Sequence, residues 1–399
     1  MVFSRSAMLI AAVFVPLLQS YGLSMTEVLQ TQALFALTIA ICEVPSGYLA
    51  DLWGRKNTLV CGAALSALGY VLLVQANSFA DFLLFELLLG IGMSLNSGAD
   101  LALLYDTQSY LRRHHAGQSS KLCNANPIAK LCSVESLAGA AGAVLAGVLT
   151  LWSLQAVVIV QALITLVPFV CAVTLVEPPR EIALSGHREN WSRIRLIIVK
   201  QPIVLITAIA IIVFGLAALY AFWLYQKYWE LQGVPLACFG YLWATHCVIR
   251  GVASHYAHVV EAKLGPRNAL ILVAVLSILG FVAMAFTGGW LGVCCAFVLP
   301  ISRGISVVVF ADALNKRIEA DFRATLNSLV SLGFRALFII TAPILGLLVD
   351  QQGVQVALLA LAGVFLPIYA AVLFALFSAL RRTAKEPAIQ SEQVQAVNN

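Results

Sequence analysis

Glu43, Glu86, Glu135, His246, Arg303 and Arg335 all stand inside long apolar runs of the chain. At the centre of a lipid-embedded helix a charged side chain costs at least about 2.5–3.5 kcal/mol on insertion scales, so each needs a partner, a watery cavity or a function. An apolar surrounding favours the neutral carboxyl group, which makes Glu43, Glu86 and Glu135 candidate proton carriers. His246 joins them because imidazole changes charge near neutral pH. For Glu43, just before Pro45 and on the face of Gln32, a structural hydrogen bond is the competing reading. Arginine does not deprotonate in proteins, so Arg303 and Arg335 read as cations facing a cavity or an anion.

Position around a helix, at 100° per residue, sorts the other polar groups. In the run 79–104, Glu86, Met93, Asn96, Ser97 and Asp100 fall on one face, within an arc of about 100°, a polar stripe expected to line a central cavity. The alternative is that Glu86 and Asp100 only lie near the two membrane interfaces. Arg303 shares a face with Ser306, whereas Asp312 is on the opposite side, near Lys316 or Arg323. Ser331 and Arg335 share a face, and Glu135 at similar depth is expected either to pair with Arg335 or to act apart from it. Tyr220 and Trp223 share a face with Lys227, where they would stack on or hydrogen-bond a substrate; Lys227 and Trp229 are equally natural interface anchors. The substrate-binding candidates are therefore Asn96, Ser97, Asp100, Tyr220, Trp223, Arg303, Ser306, Ser331 and Arg335.

Other chemistries find no support. His246 and Arg250 lie on one face of their run and His255 and His258 on another, so a metal site there lacks convergence. His114 and His115, with Cys123 and Cys132, read as a solvated basic loop. No Ser/His/Asp arrangement suggests an enzyme and none calls for a cofactor. No G-x-x-x-x-G-K-S/T loop suggests nucleotide-driven transport, so an ion gradient is the expected energy source.

These residues must be held by membrane helices. The chain is 61% hydrophobic and only 11% charged, with a mean hydropathy of +0.92, against roughly 25% charged residues in soluble domains. Backbone groups in lipid require helices or a closed barrel, and runs of about 20 residues are helix length. Twelve runs predict an all-α protein: roughly 6–22, 28–50, 57–77, 79–104, 127–151, 154–176, 202–225, 235–259, 268–287, 290–313, 326–349 and 354–378. A six-helix bundle over 1–176, a linker over 177–200, a second bundle over 201–380 and a tail over 381–399 follow. With the N-terminus in the cytoplasm, all but four of the 24 basic residues fall on the cytoplasmic side (the exceptions are Lys227, Arg250, Arg303 and Arg335). The positive-inside rule thus puts both termini in the cytoplasm. The net charge of +5 reflects this topology and gives no reason to invoke nucleic acid.

Two matches at nearly one offset reveal a duplication. Gly92, Ser94, Ala99 and Asp100 align with Gly304, Ser306, Ala311 and Asp312, and Gly54 to Lys56 align with Gly265 to Arg267. Parallel six-span halves of this kind are a transporter architecture. Between the second and third runs, Gly47, Ala50, Asp51, Gly54, Arg55 and Lys56 form a short basic turn that resembles the signature loop of the major facilitator superfamily. The resemblance implies a twelve-helix secondary transporter working by alternating access. It implies that Gly47, Asp51, Gly54, Arg55 and Lys56 gate the cytoplasmic side, with Asp51 facing the start of the eleventh span and Arg55 paired with Asp106. The bland reading is that Arg55 and Lys56 only fix topology. Proton-driven drug exporters of the family carry a glycine–proline pattern in the fifth span and an arginine in the fourth; here there is no such proline, and Glu86 stands where the arginine is expected. Instead the fifth run has Gly139, Ala143 and Gly147, small residues that let helices approach.

The leading expectation is proton-coupled efflux of a carboxylate-bearing or zwitterionic metabolite, siderophore-like for instance, by a monomer in a bacterial-type inner membrane. Its partners are a small-molecule substrate, protons and lipid. Uptake of a small organic anion, a multidrug exporter and a non-transporting membrane receptor are the alternatives.

Overall fold

Runs of apolar residues long enough to span lipid become helices wherever the structure describes them. The computed structural model describes residues 5–114, 127–178, 202–317 and 320–397. The linker beyond Pro178 and the loop with His115 and Cys123 lie outside them. Among the described residues twelve helices occupy the twelve runs. They are α1 (Phe14–Ser20), α2 (Met25–Trp53), α3 (Arg55–Val74), α4 (Phe79–His114), α5 (Pro127–Leu149), α6 (Leu154–Thr174) and α7 (Pro202–Leu231). Then come α8 (Leu236–His255, continued by Ala257–Leu264), α9 (Pro266–Phe286) and α10 (Gly289–Ala296 and Val298–Asn315). A last helical stretch, Ala320–Val397, is divided at Gly353 (φ 84°, ψ 166°) into α11 (320–352) and α12 (354–397). Among the described residues nine helices are long and apolar enough to cross a membrane, counting α11 and α12 as one.

The turns bear the mark of duplication. Gly54, between α2 and α3, has φ 94° and ψ 149°, and Gly265, between α8 and α9, has φ 79° and ψ 155°. That region of backbone space is essentially confined to glycine. The two residues aligned by the repeat therefore make the same one-residue reversal.

The first run departs from expectation. Instead of one helix over 6–22, a 3-10 turn at Leu9–Ala12 meets α1 at Val13, the C-cap of the turn. Broken backbone is tolerated in a membrane only where other groups satisfy it. Two buried glutamines do so here. Gln161 on α6 accepts from the Leu9 N–H at 2.6 Å. Gln226 on α7 accepts from the Val15 N–H at 2.9 Å and donates to the Ala11 carbonyl at 2.9 Å.

The chain forms two compact units. The first comprises Met1–Leu184, Trp223–Val248 and Arg335–Val354; the second comprises Ser185–Phe222, Ile249–Phe334 and Gln355–Asn399. Within the first unit, segments of α7, α8 and α11 join the first six helices. A Cβ on Gly240 of α8 would stand 2.7 Å from the Cα of Gly147, so the small-residue face of α5 is consumed by a backbone-to-backbone crossing. Asp350, at the end of α11, accepts from the backbone N–H groups of Met25 (2.9 Å) and Thr26 (2.8 Å) and from the Thr26 hydroxyl (2.6 Å). It thereby caps α2, whose own Ser24 and Glu27 form a capping box. Lys227 donates to Gln19 at 3.0 Å and Glu230 at 2.8 Å.

The second unit packs α9 and α10 together, with the Ser302 hydroxyl donating to the Val273 carbonyl at 2.8 Å. Phe214 of α7 stacks on Tyr369 of α12 at 4.0 Å between ring centres. At the end of α10, Asp312 bonds Lys316 at 2.6 Å and holds its ammonium above the ordinary lysine value. That is the surface role expected for Asp312. An apolar cavity of about 160 Å³ lies between Val204, Ala208 and Ile212 of α7 and Leu326 and Val330 of α11.

Candidate functional site

The α2–α3 turn is built from three helices. Arg55, the first residue of α3, forms an ion pair with Asp106 near the end of α4. Glu177, just beyond α6, accepts from the backbone N–H groups of Arg55 (2.9 Å) and Lys56 (3.1 Å). A carboxylate there satisfies donors that a helix start leaves open and meets the positive end of its dipole. Gly54 is needed twice over, because a Cβ on it would also stand 2.9 Å from a Glu177 carboxylate oxygen. Asp51 is exposed and Gly47 half-buried in the preceding turn of α2. Sequence reasoning missed Glu177, although an acid just after a span was a usable signal.

Inside the first unit, the polar stripe of α4 divides among several partners. Glu86 is buried and accepts from Gln32 of α2 at 2.5 Å. It also acts electrostatically on Tyr70 of α3. Asp100 pairs with Arg5, ahead of α1, at 2.5 Å. Ser97 is exposed, with its hydroxyl toward the Ser94 carbonyl at 3.4 Å. Asn96 is buried at the α3–α4 crossing, where a Cβ on Gly62 would come within 2.7 Å of its amide oxygen. It lines a cavity of about 50 Å³ with Arg5, Ser66, Tyr70, Gln161 and Thr165. The stripe thus faces the interior of its own helix bundle at Glu86 and Asn96, because glycines 62 and 92 bring α3 close against that side of α4.

Glu43 and Arg335 interact electrostatically within the same unit. Glu43 is thus an acid that acts on Arg335; Glu135 is half-buried on α5. Ser331 is half-buried on α11. His246 stacks on Trp243 at 5.3 Å and meets Tyr225 edge-on at 5.1 Å. Trp229 belongs to the same aromatic group, 1% exposed and 5.3 Å from Phe239, so the interface-anchor reading does not hold for it: packing against aromatic neighbours excludes it from the surface. The ring of Trp223 packs near Phe14 at 6.0 Å.

In the second unit, Arg303 is half-buried on α10 and acts electrostatically with Arg250 of α8 and Tyr369 of α12. A Cβ on Gly215 of α7 would stand 3.7 Å from its guanidinium. No carboxylate among the described residues forms an ion pair with Arg303 or Arg250. Ser306 is buried and its hydroxyl returns to the Arg303 carbonyl at 3.0 Å. Tyr220 is buried, with its ring 6.2 Å from Phe365. Among the described residues no group of three or more His, Cys, Asp or Glu is gathered to hold a metal ion.

Residues 1–115, which contain the Arg55–Asp106 turn, match the family model described as Major Facilitator Superfamily. The match covers residues 1–115 of the 399 and marks a resemblance of that part of the chain to the family. The fold extends beyond the matched residues. A solved structure of a mutant of the nucleoside transporter NupG shares 13% identity with this chain, covers 95% of it and 98% of its own length, and superposes with a TM-score of 0.76. A second NupG structure, at 14% identity, covers 95% of each chain with a TM-score of 0.71. No curated protein sequence matches the chain. The match over residues 1–115, the fold likeness to a transporter and helices long and apolar enough to cross a membrane support an integral membrane secondary transporter.

Proposed function

We propose that the protein exports a small carboxylate-bearing or zwitterionic metabolite across the inner membrane in exchange for protons, acting as a monomer with both termini cytoplasmic. The observation that carries the substrate class is Arg303, a cation within the apolar second unit whose electrostatic neighbours include another cation, Arg250. A desolvated cation beside a like charge is stabilised by an incoming anion, and a guanidinium matches a carboxylate in two parallel hydrogen bonds. Tyr369 adds a phenol to the same neighbourhood. Glu43 and Glu86 are the acids proposed to carry protons inward as the anion moves outward.

Two latches support alternating access. Asp350 capping α2 is the proposed outer gate. The turn held by Arg55, Asp106 and Glu177, together with Asp51, is the proposed cytoplasmic gate. A nucleoside is the second reading of the substrate, favoured by the NupG fold likeness. The test is equilibrium binding of a labelled monocarboxylate, a tricarboxylate and a nucleoside to purified protein. Binding of a carboxylate, weakened at least tenfold in Arg303→Ala and partly kept in Arg303→Lys, is expected. Nucleoside binding that ignores both substitutions would overturn the anion reading.

A further inference from the structure

The cavity at the break of α1 contains groups that neither gate nor the Arg303 neighbourhood uses. The Tyr70 hydroxyl and the Asn96 amide oxygen are buried without a hydrogen-bond partner. Tyr70 is 3% and Asn96 4% exposed. Both residues line the same cavity of about 50 Å³. A buried polar group without a partner costs about 1–3 kcal/mol, and two in one cavity point to a ligand that bonds them. One water needs about 10–15 Å³ of such space and two to four polar partners, so about three waters fit. Partners are at hand: the Ser66 hydroxyl donates to Gly62 and keeps its lone pairs, and Thr165 and Gln161 stand on the α6 side.

Charged groups stand at the cavity and act on its lining. Arg5 lines one end and pairs with Asp100, and both are partly exposed. Tyr70 lines another part and is the residue on which Glu86 acts. The titratable or charged groups about this path are Glu86 and Asp100 on α4, Tyr70 on α3 and Arg5 ahead of α1. The neutral Gln32 of α2 bonds Glu86, and α6 contributes only the neutral Gln161 and Thr165.

We propose that this cavity is a hydrated site whose waters, anchored by Tyr70 and Asn96, pass protons between the Arg5–Asp100 end and Glu86. Each step is a transfer between hydrogen-bonded oxygens. A water accepts one proton and gives up another, until the Glu86 carboxylate forms an O–H bond; no electron moves and no other bond breaks. The role given to Glu86 rests on the proton-coupled reading above, whereas the hydration of the site does not.

The experiment is infrared difference spectroscopy of the full-length protein in lipid, at a pH where Glu86 is protonated, with Glu86→Gln identifying its carbonyl band. On exchange from H2O to D2O the band shifts within the mixing time in the wild type. Ala63→Leu, which fills the cavity from α3, slows the shift at least tenfold. Tyr70→Phe, which keeps the ring packing and removes only the hydroxyl, slows it as well and stands alone if Ala63→Leu does not fold. A shift equally fast in wild type and Tyr70→Phe, or no shift in the wild type, overturns the proposal. Fast, Tyr70-dependent exchange in a protein whose transport ignores the pH gradient would sink proton coupling and leave the hydrated site standing.

Discussion

Removing the Asp350 carboxylate should loosen one end of the first unit. Its oxygens accept three hydrogen bonds, from the Met25 and Thr26 backbone N–H groups and the Thr26 hydroxyl. Hydrogen bonds to a charged group contribute about 1.5–3 kcal/mol each, and a carboxylate at a helix N-terminus adds about 0.3–1 kcal/mol. The Thr26 bonds are exposed, so water replaces much of what is lost, and about 3 kcal/mol is a fair figure for the whole latch in Asp350→Ala. At 1.4 kcal/mol per tenfold change, that shifts the closed-to-open equilibrium by about 150-fold. Asp350→Asn keeps one acceptor and loses the charge, and should shift it by about tenfold, or 1.4 kcal/mol. Hydrogen–deuterium exchange in lipid nanodiscs reads the result without introduced labels. If Asp350 is a gate, protection falls at Met25 and Thr26 and, in the same variant, at the remote Val15 amide held by Gln226. Faster exchange confined to the first turn of α2 would make Asp350 a local cap and refute the gate.

Gln226→Leu keeps the bulk of the side chain and takes away the partner of the buried Val15 N–H and of the half-buried Ala11 carbonyl. At about 1–3 kcal/mol for each group, the variant should melt well below wild type in detergent; equal melting temperatures would show that the break in α1 is satisfied in another way. Asp51→Asn should slow substrate exchange in liposomes while leaving binding affinity nearly intact, because Asp51 belongs to the turn proposed as the cytoplasmic gate rather than to the Arg303 neighbourhood. A large loss of affinity in that variant would contradict the division.

Much of the architecture can be read from composition because lipid imposes a simple demand: about 20 apolar residues per helix. The Gly54 reversal and its copy at Gly265 were legible for a related reason, since a one-residue turn between helices admits little but glycine. The Arg55–Asp106 contact was reachable only through family likeness. Residues 6–22 gave no hint of a break, because Leu9 to Val13 are wholly apolar. The signal lay far off, in the lone amides Gln161 and Gln226 within apolar spans. Helical angles grouped Asn96 with Glu86 correctly but not the direction in which the stripe turns. That depends on which neighbouring helix comes closest, here α3 through Gly62. Asp350 was overlooked for the same reason, its partners lying 325 and 324 residues away in sequence.

The most direct test of the central claim is simultaneous measurement of proton and carboxylate flux in proteoliposomes carrying an imposed pH gradient. The account predicts carboxylate movement against the direction of proton flow, abolished in Arg303→Ala, and uncoupled from the gradient in Glu86→Gln or Glu43→Gln. Carboxylate flux that is indifferent to the gradient in the wild type, or unchanged when Arg303 is removed, would contradict it.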